Sequence, residues 1–89
     1  MYKLKLYIVG ETRTSTKLLD YLKDIFEKDL EEPYTLEVID VLDHPEKAID
    51  DEIFATPTLA KVHPEQVRKV IGDLNDREML LDKLGLTNK

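Results

Sequence analysis

The sequence predicts one α/β domain in which strands and helices alternate along its 89 residues. Apolar residues at helical spacing separate two short apolar runs, which is the order expected of a strand–helix–strand unit. A third apolar, β-branched run at residues 53–62 contains Pro57, and proline cannot donate a ladder hydrogen bond. Pro57 therefore belongs at a strand start, an edge or a tight turn. Together the patterns predict the order strand, helix, strand, helix, strand, strand, helix.

The first half of the chain predicts a buried strand followed by a long helix. Residues 2–9 alternate or run apolar and end at Gly10. The polar segment that follows offers Thr12 and Thr14 as the best helix N-caps. Pro33 ends the helix, because the residue before a proline is pushed out of the helical region. The apolar stripe of this helix comprises Leu18, Leu19, Leu22, Ile25, Phe26 and Leu30.

A second strand and a short helix follow. Residues 34–42 predict the strand, and a right-handed crossover through the first helix makes it parallel to the first strand. Asp43 is the expected cap of the next helix, with Pro45 in its first turn. This helix is expected to end near Asp51 or Glu52.

The last third of the chain predicts a hairpin and a helix. The third strand turns at residues 63–66 into an antiparallel strand at 67–71, which Gly72 ends. Asn75 is the expected cap of the last helix, and Gly85 ends it. The whole order is thioredoxin-like, and a Thr-Pro pair before the third strand is where such folds keep a cis proline. We expect a single domain spanning residues 1–89.

Composition excludes several classes of function. The chain has no cysteine, which removes disulfides, thiol redox chemistry and cysteine-based metal sites. Its net charge of −6 disfavours nucleic acids and anionic lipid as partners. No apolar run is long enough to cross a membrane, and an alternating strand pattern directly follows Met1, so a cytoplasmic protein is expected.

No residue pattern predicts catalysis or a cofactor. Ser15 lies in a threonine-rich helix start, where a capping role is favoured over that of a nucleophile. His44 and His63 each precede a proline in a loop, without the further ligands that a metal needs. Two carboxylate clusters, at residues 50–52 and at residues 40 and 43, lack the spacing of a calcium loop, so solvated surface is favoured. The chain is therefore predicted not to be an enzyme.

Basic residues are scarce, and three of them lie around the predicted hairpin. Lys61 and Arg68 flank the turn, and Lys69 is adjacent. In an acidic chain such residues are a candidate contact surface for an acidic partner. They are equally consistent with lysine placed on edge strands to discourage unwanted pairing.

Four segments carry a resemblance to a known family. They occur in order and without evident gaps, and the match extends from Tyr2 to about Leu81. The resemblance is to the KaiB family of clock proteins, and the last two segments are the specific ones. The segments are Leu4-Lys5-Leu6-Tyr7-Ile8-Val9-Gly10, Leu36-Glu37-Val38-Ile39-Asp40-Val41-Leu42, Ala55-Thr56-Pro57-Thr58-Leu59-Ala60-Lys61-Val62 and Val67-Arg68-Lys69-Val70-Ile71-Gly72-Asp73-Leu74.

The resemblance implies a regulator without catalytic activity. KaiB proteins dock on the N-terminal ATPase ring of KaiC, modulate its phosphorylation cycle, sequester KaiA and displace the kinase SasA. They also switch folds, from a self-associated ground state to a thioredoxin-like monomer that binds KaiC. The residues that match family positions facing KaiC are Lys5, Ala55, Thr56, Pro57, Lys61 and Arg68. The residues expected to govern the switch are Pro57, Pro64, Gly72, Asp73, Lys83 and Gly85.

Departures from the family pattern leave alternatives open. Lys83 stands where clock members have glycine, which favours a C-terminal helix by about 0.5–1 kcal/mol. Glu37 and Glu52 stand where the family often has lysine, which weakens the expected KaiA contacts. One alternative is therefore a KaiB-like protein outside a full clock, related to stress, with KaiC but no KaiA. Another is a cysteine-free thioredoxin-like module that binds a peptide-like backbone at Thr56 and Pro57.

Overall fold

The computed structural model of the chain describes residues 1–30, 32–63 and 67–86. One sheet has the strand order β2-β1-β3-β4, with β1 and β2 parallel and β3 antiparallel to both of its neighbours. This confirms the predicted element order and the predicted parallel pair. The elements are β1 (Tyr2–Ile8), α1 (Arg13–Asp29), β2 (Tyr34–Asp40), α2 (Pro45–Asp50), β3 (Thr58–His63), β4 (Arg68–Ile71) and α3 (Arg77–Lys83).

The two faces of the sheet are covered unequally. On one face, Leu4, Leu6 and Leu59 pack against apolar side chains of α1 and α3, and we name it the α1/α3 face. On the other face, Tyr7 and Ile39 form a smaller cluster with Ala60. This second face, named the α2 face, lies beneath a helix that contributes no buried residue of its own. Polar contacts therefore have a larger share in holding α2 than apolar burial has.

The long helix starts where the sequence predicts. Thr12 is the N-cap of α1, and its side chain accepts a hydrogen bond from the Ser15 N–H. The Ser15 side chain in turn accepts from the Thr12 N–H at 2.8 Å, which completes a capping box. The capping role predicted for Ser15 is thereby confirmed.

The predicted caps of the two shorter helices are wrong by one residue each. His44, not Asp43, is the N-cap of α2, and it makes no side-chain cap. Asp76, not Asn75, caps α3 by accepting from the Met79 N–H. Asn75 instead donates its backbone and side-chain N–H groups to the Asp73 carboxylate, both at 3.0 Å. That local turn occupies Asn75, so the next acceptor along the chain takes the cap position.

The third strand begins later than its apolar run does. The Thr56–Pro57 peptide bond is cis, as a thioredoxin-like fold predicts, and β3 starts at Thr58 rather than at Ile53. The glycines that end β4 and α3 were predicted correctly. Gly72 and Gly85 adopt φ values of +98° and +67°, in the left-handed region where side chains are strained. Pro64, predicted to take part in fold switching, lies outside the described residues.

Two polar contacts fasten α3 to α1. The Arg77 guanidinium forms a bidentate ion pair with the Asp29 carboxylate. The Tyr21 hydroxyl donates to the Asn75 backbone oxygen at 3.0 Å. The hydrogen bonds from Arg77 hold the pKa of Asp29 below its usual range. Among the described residues, no helix is long and apolar enough to cross a membrane.

We expect Arg77→Gln to lower the melting temperature at neutral pH and to lose this effect in acid. The pKa of Asp29 is depressed in the folded state, so the stability it contributes is present above the ordinary aspartate value of 3.8 and is lost as pH falls through the folded pKa. Melting curves of both proteins between pH 7 and about pH 2 should therefore converge at the acid end. Lys47→Gln, which removes the exposed pair with Glu37, is the control. A difference in melting temperature that did not change with pH would contradict the stabilising role of the Arg77–Asp29 ion pair.

Candidate partner-binding surface

One carboxylate joins the loops that follow the two parallel strands. Asp40 Oδ1 accepts hydrogen bonds from the Gly10 N–H and the Leu42 N–H, both at 3.0 Å. An alanine-like Cβ on Gly10 would lie 3.8 Å from a methyl carbon of Leu42, so the two loops are adjacent. Asp40 thus places Val9 and Leu42 side by side at the carboxyl ends of β1 and β2.

The other two strands bring further residues to the same edge. Tyr7, near the end of β1, pairs with Thr58 at the start of β3, and Thr58 pairs with Ile71 at the end of β4. The Gly72 N–H donates to the Pro57 oxygen at 3.0 Å. The segment 54–57 and Ile71 therefore lie at the edge that carries Val9 and Leu42. We name this surface the apolar edge, comprising Val9, Leu42, Phe54, Ala55, Thr56, Pro57 and Ile71.

The apolar edge concentrates exposed apolar area. Of the eight exposed large apolar residues in the described part of the chain, four lie here. Phe54 is 90% exposed and Leu42 is 67% exposed. Phenylalanine buries a large apolar area in a core or an interface, so an exposed phenylalanine gives up a large hydrophobic stabilisation. Clusters of exposed apolar side chains are found at interaction sites more often than on the rest of a protein surface.

A groove runs from the apolar edge along the start of α1. One cavity of about 160 Å³ is lined by Val9, Thr12, Thr14 and Pro57. A second cavity of about 330 Å³ shares Thr14 and Pro57 and extends to residues 72–75. Thioredoxin-like enzymes place their reactive thiol between the first strand and the first helix. Here Ser15 is engaged in capping at that position, so the groove offers shape and hydroxyl groups rather than a nucleophile.

The predicted partner-contact residues do not form one surface. Ala55, Thr56 and Pro57 lie on the apolar edge. Lys5 lies on the α2 face, because it pairs with Ala60. Lys61 lies on the α1/α3 face and is only 2% exposed. The structure thus brings together three of the six residues.

The basic cluster expected at the hairpin is not formed, which corrects the sequence interpretation. Arg68 pairs with Lys61 and shares its face, whereas Lys69 pairs with Ala60 and lies on the opposite face. The Arg68 guanidinium carbon would lie 3.3 Å from a Cβ placed on Gly85. Arg68 thus lies against the end of α3, and Lys61, its partner in β3, is buried on the same face. The alternation of side chains along a strand separates neighbours that the sequence places together.

Asp51 is the centre of a polar network on the α2 face. The Tyr7 hydroxyl donates to Asp51 Oδ2 at 2.6 Å, and Lys5 Nζ lies 3.6 Å from the same oxygen. Lys69 Nζ donates to the Asp51 backbone oxygen at 2.7 Å. Burial, together with the Asp51 hydrogen bond and charge and the more distant charge of Glu37, raises the pKa of Tyr7 far above its ordinary value. The Tyr7 phenol is therefore a permanent hydrogen-bond donor.

Two of the carboxylates considered as cation ligands accept hydrogen bonds from the chain itself. Asp40 accepts two backbone N–H groups, and Asp51 accepts from Tyr7. In residues 1–30, 32–63 and 67–86, no three His, Asp or Glu side chains are grouped as metal ligands.

Sequence reasoning missed the residues that define the apolar edge. The sequence pattern places Val9, Leu42 and Phe54 within apolar runs that predict strands, and Asp40 within a carboxylate cluster. Val9 and Leu42 lie just beyond the ends of β1 and β2, and Phe54 lies in the segment that precedes β3. That position was the available signal, because a residue beyond a strand end has lost the neighbours that would bury it.

The comparison with protein families decides the relationship. A family model for the KaiB domain matches residues 5–86 of the chain. The chain belongs to the KaiB family. The resemblance noted in the sequence is thereby confirmed.

Individual relatives agree with this assignment. The circadian clock oscillator protein KaiB of Microcystis aeruginosa is 54% identical over 85 residues, which span 96% of this chain and 82% of the relative. Among solved structures, the N-terminal domain of Synechococcus elongatus SasA is similar, with a TM-score of 0.79 and 26% identity over 94% of this chain and 83% of that one. Mitochondrial thioredoxin 3 of Saccharomyces cerevisiae has a TM-score of 0.71 at 16% identity, covering 94% and 76% of the two chains. The thioredoxin-like fold predicted from the element order is confirmed.

We expect Asp40→Ala to destabilise this KaiB-family protein by about 1–3 kcal/mol, because two backbone N–H groups lose a shared charged acceptor. Asp40→Asn should cost less, since its amide oxygen can still accept. Urea unfolding at neutral pH measures both losses. If both variants lowered the free energy of unfolding by the same small amount, the role of Asp40 in joining the two loops would be contradicted.

Proposed function

We propose that this protein is a binding regulator that docks its apolar edge on the N-terminal ATPase ring of a KaiC-type hexamer. Membership of the KaiB family supports the choice of partner. The clustering of exposed apolar residues at one edge of the sheet supports the choice of surface. Modulation of the partner's phosphorylation cycle requires only binding, and the protein itself needs no catalytic group.

The exposure of Phe54 is the observation that carries this proposal. The side chain projects from a short segment at the apolar edge and is 90% exposed. Aromatic residues with their full surface available are typical anchors of protein interfaces. Ala55, Thr56 and Pro57 adjoin it, so the three predicted contact residues that reach this edge form its surroundings.

The similarity to the SasA domain supports a competitive mechanism. Two domains of the same fold with 26% identity can present related edges to one site. We propose that this protein displaces a SasA-type kinase from the ring and, where KaiA exists, provides part of the surface that sequesters it. In this proposal a self-associated ground-state form, a dimer or tetramer, withholds the apolar edge from the partner.

A second candidate is a KaiB-type protein that acts on KaiC outside a full clock. Glu37 and Glu52 favour it, because both are exposed acids where the family often has lysine. Glu37 is also paired with Lys47 at 3.3 Å. A surface with this charge is poorly suited to contacts that the family makes through lysine. Binding to KaiC without binding to KaiA would favour this candidate.

Direct binding to a KaiC-type hexamer tests the proposal. The N-terminal ATPase ring, immobilised in its nucleotide-bound form, should capture the protein, and a SasA-type N-terminal domain should compete with it. The isolated C-terminal ring of the same ATPase is the control and should capture none. Absence of binding to every KaiC-type ring under conditions that favour either conformer would overturn the proposal.

We expect Phe54→Ala to weaken binding to the ring by about 10- to 100-fold, as truncation of an aromatic anchor does. The unfolding midpoint should stay unchanged, because a side chain 90% exposed contributes little packing. Val67→Ala is the matched control, since Val67 is 54% exposed and precedes β4, at the opposite end of that strand from Ile71. If the two substitutions weakened binding equally, the apolar edge would not be the docking surface.

We expect the thioredoxin-like form to predominate, and Lys83→Gly to lower the ratio of this form to the alternative form by about two- to fivefold, from a helix penalty of about 0.5–1 kcal/mol. Amide NMR should show helical shifts across Arg77–Lys83 in the unsubstituted protein. Lys28→Gly is the control, because it places the same substitution in α1, outside the C-terminal part of the chain that carries the expected switch residues. A single state with strand shifts across residues 76–84 would refute the expectation.

A further inference from the structure

We propose that Asp51, Tyr7 and Lys5 are positioning residues that hold Phe54 in the orientation needed for docking, and that Lys5 acts through Asp51 rather than on the partner. This inference rests on the proposed docking of the apolar edge. It assigns to Lys5 a role different from the direct contact that the family resemblance implies.

Phe54 cannot be oriented by its own packing. Its side chain is 90% exposed, and the neighbouring Ala55 is exposed too. A side chain without packed neighbours takes its direction from the backbone that carries it. The position of Phe54 therefore depends on where the segment between α2 and β3 is attached to the sheet.

The segment is attached at both ends. At its start, the Asp51 carboxylate accepts from the Tyr7 hydroxyl at 2.6 Å and lies 3.6 Å from Lys5 Nζ. At its end, the Thr58 hydroxyl donates to the Ala55 oxygen at 2.6 Å. Phe54 lies between these two attachments, three residues after the first and one before the second.

The backbone between the attachments leaves few alternatives. Glu52 adopts a φ of 57°, in the left-handed region that costs a residue with a side chain about 1–2 kcal/mol. The Ile53 N–H donates to the Ala48 oxygen at 2.8 Å. A sharp turn directly after Asp51 thus directs the chain towards Phe54, and the Asp51 carboxylate attaches this turn to the sheet.

The contact to Tyr7 is stronger than a surface contact. Tyr7 is 1% exposed, so its hydroxyl has no access to bulk water and depends on the Asp51 carboxylate. Lys5 and Lys69 reach the same residue from β1 and β4, through its carboxylate and its backbone oxygen. The facing Glu37 is paired with Lys47, and the acid that Lys5 contacts is Asp51. Lys5 is therefore engaged within the chain on the α2 face.

Tyr7→Phe tests the first part of the inference, because it removes only the hydroxyl and keeps the buried ring. We expect amide hydrogen exchange at Glu52 and Ile53 to accelerate about five- to tenfold, and ring binding to weaken by a similar factor. Tyr34→Phe is the matched control, since it removes the hydroxyl of a tyrosine that donates to Glu27, away from α2. The control should leave both quantities within about twofold of the unsubstituted protein.

A double-mutant cycle tests the role of Lys5. If Lys5 acts through Asp51, Lys5→Gln and Asp51→Asn should weaken ring binding by less together than the product of their single effects. If Lys5 contacts the partner directly, the two effects should multiply, and this result would overturn its role as a positioning residue.

The outcomes separate this inference from the proposed function. Faster exchange in Tyr7→Phe with unchanged ring affinity would show a purely structural network and overturn the inference, while docking itself stands. Unchanged exchange would overturn it as well, because the segment is then not held by Tyr7. Failure of the unsubstituted protein to bind any ring would instead overturn the docking proposal, and the positioning role with it.

Discussion

The pairing of β1 on both of its edges is the constraint on which the rest of the structure depends. β1 is parallel to β2 and antiparallel to β3, and it buries side chains on both faces of the sheet. This arrangement brings the ends of β1 and β2 and the start of β3 to one edge. Asp40 then joins the ends of β1 and β2, and the register of Thr58 with Ile71 brings the end of β4 to the same edge. The position of the apolar edge therefore follows from the order and direction of the strands, and the individual side chains determine its apolar character.

The helices on the two faces of the sheet are held by different kinds of interaction. Burial of leucine and phenylalanine holds α1 and α3, and such contacts tolerate little movement because interiors are closely packed. The short α2 buries no residue and is held by Asp51 through charge and hydrogen bonds. An element held by a few polar contacts depends on each of them, because no buried side chain of its own keeps it in place. The segment that presents Phe54 therefore follows an element whose position is set by the Asp51 contacts.

Sequence reasoning succeeded where local rules decide the outcome. Thr12 caps α1 because the polar segment before the apolar stripe has a suitable side chain, and Gly85 ends α3 because few other residues adopt its φ. It failed where neighbours in space decide. Asn75 was predicted as a cap, but it is occupied by Asp73. Lys61 was predicted to be exposed beside Arg68, but the side-chain alternation of β3 directs it into the α1/α3 face.

The sequence by itself determined the element order, the thioredoxin-like arrangement and the family, because periodicity, glycine, proline and motif spacing are properties of neighbours along the chain. Only the tertiary structure decided which residues share a surface. Val9 and Leu42 are far apart in sequence and become adjacent because Asp40 joins the loops after β1 and β2, and Phe54 reaches the same edge ahead of β3. Likewise Tyr7 and Asp51 are 44 residues apart, and their hydrogen bond exists only once the sheet has formed. Contacts between distant residues depend on strand register, and no local pattern encodes register alone.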